Sequence, residues 1–220
     1  MKVLILTDSL SLPRTKPEQV DYYHTWPRLL EKKMPGEYVS IGIGGGTSTD
    51  IVNQGTIYYE AIHPDVVIVQ SGIVDCAPRG YTKFELSLIR KTALSRYLMF
   101  KVVGVDKMRT MRKVTYTPIG NFQANVKKMS KQFSYAKLCW LGIAPAKDVY
   151  EKQLPGVTEN IKRYNQVLMD MSASSGFTYI PMDEFPLDGF MSDHHHFNEL
   201  GHSWVSEKIK SVLQVTAVEV

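Results

Sequence analysis

Five short apolar runs that do not alternate with polar residues, separated by segments of helical spacing, set the fold of this 220-residue chain. Residues 3–6, 66–69 and 138–143 are almost wholly apolar, and 38–41 and 177–180 show the same pattern less purely. A strand with one wet face alternates apolar and polar residues; a run apolar at every position must be covered on both faces, as parallel strands are. Segments 18–33, 50–62, 121–133 and 157–173 place apolar residues three and four apart, for example Ile161, Tyr164, Leu168 and Met171. The last segment does the same with Leu200, Trp204, Val205, Ile209, Val212 and Leu213. Strands alternating with helices predict a three-layer α/β/α sandwich around a parallel sheet of about five strands.

With 44% hydrophobic residues the chain is long enough to bury one sizeable core, and it reads as a single domain over 1–220. Lys2 is followed by only four apolar residues before Thr7 and Asp8, which is too short for a signal peptide. No run approaches the roughly 20 apolar residues of a membrane span. The expectation is a soluble, cytoplasmic protein with no membrane partner. Cys76 and Cys139 sit in or beside apolar runs without metal-type spacing, so they read as buried free thiols in a reducing compartment.

The net charge of +4 hides an asymmetry. Residues 79–113 hold ten Lys or Arg against only Glu85 and Asp106, leaving +8 there and −4 for the remainder. The bland reading of such a segment is a solvated basic surface; the functional one is attraction of anionic ligands. Nucleic-acid binding is not expected, because aromatic residues interleave too sparsely for a stacking platform. The stretch 79–116 is also long for a connection, with Leu86, Ile89, Leu94, Leu98 and Met99 suggesting helix before Gly104, and it reads as a basic insertion or lid. The apolar tail 215–220 is either loose or a subunit contact.

In open parallel sheets, ligands bind beyond the carboxyl ends of the strands. Ser9, the Gly44-Gly45-Gly46 loop and Gly72 to Asp75 all fall there. Near the other terminus, Asp193 precedes His196 by three residues, close enough to hold the ring through Nδ1 and leave Nε2 free to take a proton from a hydroxyl. Serine hydroxyls are poor nucleophiles without such a base, and the oxyanion they create needs aimed N–H donors. Ser9 would attack, His196 would serve as general base and then general acid, and Asp193 would orient it. The backbone N–H groups of Ser9 and the glycine loop would hold the oxyanion. Each residue also has a structural alternative. Ser9 could merely cap a turn, Asp75 could hold its own loop, and Cys76 lacks a second histidine to activate it. The glycine loop lacks the spacing of a phosphate cradle. Three adjacent histidines with Asp193 rarely converge on one ion, so no metal is expected, and His202 reads as a helix-packing residue.

These residues resemble the SGNH, or GDSL, hydrolase family over nearly the whole chain. The first block is Leu6-Thr7-Asp8-Ser9-Leu10, with Thr7 where the family has glycine; the second is Gly44-Gly45-Gly46-Thr47-Ser48, with Gly45 matching the oxyanion glycine. The last, Asp193-His194-His195-His196-Phe197-Asn198-Glu199-Leu200-Gly201-His202, is the most specific. The third departs from the pattern: Gly72-Ile73-Val74-Asp75 puts Val74 where the family has an oxyanion asparagine. Arg79 follows closely as a replacement donor or an anchor for an anionic substrate. The resemblance implies a flavodoxin-like strand order and a serine esterase or acylhydrolase that needs no cofactor. Its expected substrate is a carboxylic ester, such as an O-acetyl group on a carbohydrate or another anionic small molecule. Asp8, Asp75, Arg79 and His195 are the candidate substrate contacts. The alternatives are a ligand-binding protein weakened in catalysis, favoured by Val74, and an O-acyltransferase using the same residues.

Overall fold

The computed structural model describes residues 1–55, 59–89, 91, 97 and 105–215. Its sheet has five parallel strands, β1 (Lys2–Thr7), β2 (Glu37–Gly42), β3 (Val66–Gln70), β4 (Lys137–Leu141) and β5 (Thr178–Ile180), in the order β2-β1-β3-β4-β5. Leu6 lies opposite Ile41 on one side and Val69 on the other. Nearly every residue of β1, β3 and β4 is buried, as their unbroken apolar runs require, whereas β2 and β5 are edges and only partly covered. That difference is why their runs were less pure.

The helices are α1 (Trp26–Lys33), α2 (Ser48–Gly55), α3 (Ile73–Cys76), α4 (Lys83–Ile89), α5 (Val105–Arg112), α6 (Ile119–Gln132), α7 (Asp148–Gln153), α8 (Val157–Ser175) and α9 (Glu199–Val215). α1 and α9 pack together on one face of the sheet, and α2, α6 and α8 form the layer on the other. In the second layer the Phe122 ring meets Trp140 edge-on at 6.1 Å and Tyr164 at 5.0 Å. The helix expected over 18–33 is shorter, starting only at Trp26 after a single-turn 3-10 segment at Tyr22–His24. Pro27 is the cause, since a proline fits the first turn but cannot donate within a helix, and it biases the residue before it toward extended backbone. Leu94, Leu98, Met99 and Gly104 of the expected lid lie outside the described residues, as do residues 216–220 of the tail. No described helix is long and apolar enough to cross a membrane.

Two polar links at Trp26 join α1 to α9 and to the sheet. The amide of Trp26, an orphan donor at the start of α1, donates to Nδ1 of His202 on α9 at 3.1 Å, and the Trp26 indole donates to Gln70 Oε1 at 2.7 Å. Burial drives the His202 pKa down to about 3, so the ring is a permanent neutral acceptor. His202 is thus the packing and capping residue its helical position implied. α9 also needs a glycine at Gly201, where an added Cβ would collide with the carbonyl of Gly189.

Candidate active site

β1 leads into the site through a turn its own residues build. Asp8 is extended, and its Oδ1 accepts from the Leu10 amide at 2.9 Å, capping a 3-10 turn over Ser9–Ser11. Thr7 and Ser11 are hydrogen-bonded through their hydroxyls, and the Asp8 amide donates to the Gln70 carbonyl at 3.0 Å, anchoring the turn to β3. Ser9 is left half-buried at the end of β1, where the strand order switches: the chain goes to β2 on one side of β1 and returns to β3 on the other.

The opposing loop is equally closed. The Met191 amide donates to the His196 carbonyl at 2.8 Å and the His194 amide to the Met191 carbonyl at 3.0 Å, with His194 in the left-handed region at φ 65°. Asp193 Oδ1 accepts from the amides of His195 at 3.2 Å and His196 at 3.0 Å. Its Oδ2 lies 2.6 Å from His196 Nδ1, and Nε2 of that ring is 3.1 Å from Ser9 Oγ. A carboxylate can only accept, so Nδ1 carries the proton and Nε2 is the acceptor facing the hydroxyl. Burial would raise the Asp193 pKa, but hydrogen bonds from the His196 ring and backbone outweigh it and hold the carboxyl well below its usual range. A hydroxyl, a neutral imidazole and an ionised carboxylate in hydrogen-bond series can move a proton off the hydroxyl.

This array opens into a cleft of about 700 Å³, the size of a small-molecule site, lined also by Gly44, Gly45, Val74, Arg79 and His195. Gly45 sits at φ 65°, a conformation that costs glycine little and turns the loop at the cleft wall. Val74 stands in the lining and offers no side-chain donor. His195 stacks on Tyr150 with ring centroids 5.5 Å apart and planes 17° apart, and its Nδ1 lies 3.0 Å from the Asp193 carbonyl. Burial, followed by the neighbouring His196, lowers its pKa.

Two expected substrate contacts are corrected. Asp8 and Asp75 are fully buried and neither lines the cleft. Asp8 spends one oxygen on its own turn, and Asp75 accepts from the Ser48 amide at 3.0 Å and the Ser48 hydroxyl at 2.7 Å, pinning the glycine loop to α3. Cys76 and Cys139 are buried and free, and burial pushes the Cys76 thiol far up, away from nucleophilic use. Among the described residues, Asp193, His195 and His196 are the one group of three His, Cys, Asp or Glu whose ligand atoms lie within 4.8 Å of one another, and both Asp193 oxygens already accept hydrogen bonds from within the loop. The cleft also contains Arg14, Arg109, Tyr116, Tyr150 and Gln153, none foreseen as site residues. Arg14 was in plain view five residues beyond Ser9; the others carry no local signal.

Comparison with known proteins agrees with this architecture. Residues 7–204 match the GDSL-like lipase/acylhydrolase family, and the chain belongs to it. It is accordingly a serine ester hydrolase of the GDSL type. Solved structures share the fold at low identity. A lipase/acylhydrolase from Enterococcus faecalis is 15% identical with a TM-score of 0.67, over 98% of this chain and 96% of that one. The acetyl xylan esterase AlAXEase is 17% identical with a TM-score of 0.62 (96% and 99%). The psychrotrophic esterase EstA from Pseudoalteromonas sp. is 14% identical with a TM-score of 0.63 (98% and 98%). No curated protein matches the chain by sequence.

Proposed function

We propose that the protein hydrolyses small carboxylic esters through an acyl-enzyme on Ser9. The observation that carries this reading is the unbroken series from Ser9 Oγ to His196 Nε2 at 3.1 Å and from His196 Nδ1 to Asp193 Oδ2 at 2.6 Å. As Ser9 Oγ attacks the ester carbonyl, His196 Nε2 takes its proton and Asp193 stabilises the resulting imidazolium. The backbone amides of Ser9 and Gly45 receive the oxyanion. Collapse of the tetrahedral intermediate breaks the bond to the alcohol oxygen, which leaves with the proton from His196. Water then repeats the sequence, giving the carboxylic acid and free Ser9.

The likeness to a structure named as an acetyl xylan esterase supports a short acyl group on a carbohydrate alcohol. Val74 favours a second reading, a binder weakened in catalysis, because one oxyanion donor is worth about 100- to 1,000-fold in turnover. The test is release of nitrophenolate from 4-nitrophenyl acetate at about pH 8 by the wild type and by Ser9→Ala. Turnover abolished by the substitution supports the esterase; equal turnover by the two proteins removes Ser9 as the nucleophile, and none in either favours the binder.

A further inference from the structure

The cleft over Ser9 carries three guanidinium groups from three separate segments: Arg14 beyond the Ser9 turn, Arg79 after α3 and Arg109 on α5. Asp193 is the one carboxylate among the described residues lining it, and its oxygens are already bonded to His196. Two other cations in this region are ion-paired. Lys83 pairs with Asp50 at 2.5 Å, and Arg112 forks onto Glu85 through bonds of 2.9 and 3.1 Å. Arg79 forms no ion pair with any described residue. Its guanidinium stands 5.1 Å from the centre of the Tyr116 ring, and its buried Nε has no hydrogen-bond partner. Its backbone is clamped to Val114 by paired hydrogen bonds of 2.7 and 3.0 Å.

Such a side chain is aimed before any ligand arrives. A cation partly withdrawn from water without a counter-charge is costly, and the cost is relieved when a ligand supplies the negative group. A guanidinium matches the two oxygens of a carboxylate or phosphate with two parallel N–H donors, and lying on an aromatic face leaves that fork free. Arg14 adds charge on the serine side, where it donates to the Ser9 carbonyl at 3.2 Å. Arg109, which reaches the Gln153 carbonyl at 3.4 Å, adds it on the far side.

We propose that the ester taken by Ser9 bears a fixed anion, a carboxylate or phosphate, seated on Arg79 between Arg14 and Arg109. This deepens the esterase reading and rests on it for the chemistry. The anion takes no part in bond making; it places the ester over the hydroxyl and selects against neutral esters.

Three charged esters are compared with neutral partners: 4-acetoxyphenyl phosphate and 4-acetoxybenzoate against phenyl acetate, and mono-4-nitrophenyl succinate against 4-nitrophenyl butyrate. The readout is the ratio of kcat/KM, charged over neutral, in the wild type, Arg79→Lys and Arg79→Met, the last keeping an apolar stem over Tyr116. Charged hydrogen bonds of this kind correspond to a fall of roughly 10- to 100-fold in that ratio for Arg79→Met, partly restored in Arg79→Lys. Which ester responds identifies the anion and whether it belongs to the acyl or the alcohol part. Ratios unchanged for all three overturn the proposal. Inorganic phosphate and succinate are also titrated calorimetrically into Ser9→Ala with and without Arg79→Met. Binding that depends on Arg79 upholds the anion site even if no ester is turned over, in which case the esterase reading alone fails. Equal or absent binding of both anions, with no ester response, overturns it.

Discussion

Replacing Asp193 with Asn isolates the role of charge and tautomer, because it preserves most of the loop. The amide carbonyl can still accept from the His195 and His196 backbone at the place where Oδ1 now lies, 3.2 and 3.0 Å from them. The other atom changes from acceptor to donor at 2.6 Å from His196 Nδ1. A donor there forces Nδ1 to accept, so the ring proton moves to Nε2, and Nε2 can no longer take the proton of Ser9 Oγ across 3.1 Å. Loss of the base function by this route costs about 10⁴-fold in kcat, or about 5.4 kcal/mol of activation free energy. KM should change little, since Asp193 acts through His196. The assay is steady-state hydrolysis of 4-nitrophenyl acetate, with thermal melting and circular dichroism showing that the 191–196 loop still closes. A folded Asp193→Asn protein that keeps more than about a tenth of wild-type kcat would refute the assignment.

Val74→Asn should restore a donor at the cleft wall and raise kcat on phenyl acetate about 10-fold or more; unchanged kcat would mean another group already serves the oxyanion. Asp8→Asn should stabilise the protein increasingly as pH rises. Burial, followed on that side by Asp75, pushes the Asp8 pKa up to about 7 from the usual 3.8 of an aspartate. The folded state therefore holds the proton longer than the unfolded one, and stability is lost across that interval. About three pKa units correspond to about 4 kcal/mol, and melting temperatures of the two proteins from pH 5 to 8 should diverge in favour of the variant. Gly201→Ala places a methyl group against the Gly189 carbonyl and should cost about 1–3 kcal/mol in urea unfolding; an unchanged midpoint would show that α9 can shift to accommodate it.

The sheet was legible because β1, β3 and β4 are covered on both faces and write that fact as unbroken apolar runs. The start of α1 was not, because the apolar spacing of 18–33 continues through Pro27 while the backbone cannot. In the site, Asp193 and His196 were readable from spacing alone, since three residues of chain suffice to bring carboxylate to ring. Asp8 and Asp75 were misread because a carboxylate beside a candidate serine or a glycine loop looks the same in sequence whether it faces the cleft or the core. Arg109 and Tyr116 were invisible, as tertiary contacts such as the bridge between Arg79 and Val114 bring their stretch of chain to the cleft.

The hydroxyl and the ring that meet at 3.1 Å are separated by 187 residues of sequence. During synthesis at roughly 5–20 residues per second, the Ser9 turn therefore waits about 10–40 s for its histidine to be made. His202 then fastens the last helix to the amide of Trp26, so docking of α9 is coupled to arrival of the adjoining 191–196 loop. On the proposed reading, a nascent or C-terminally shortened chain holds Ser9 without its base, and enzymatic activity becomes a report that the final helix has docked.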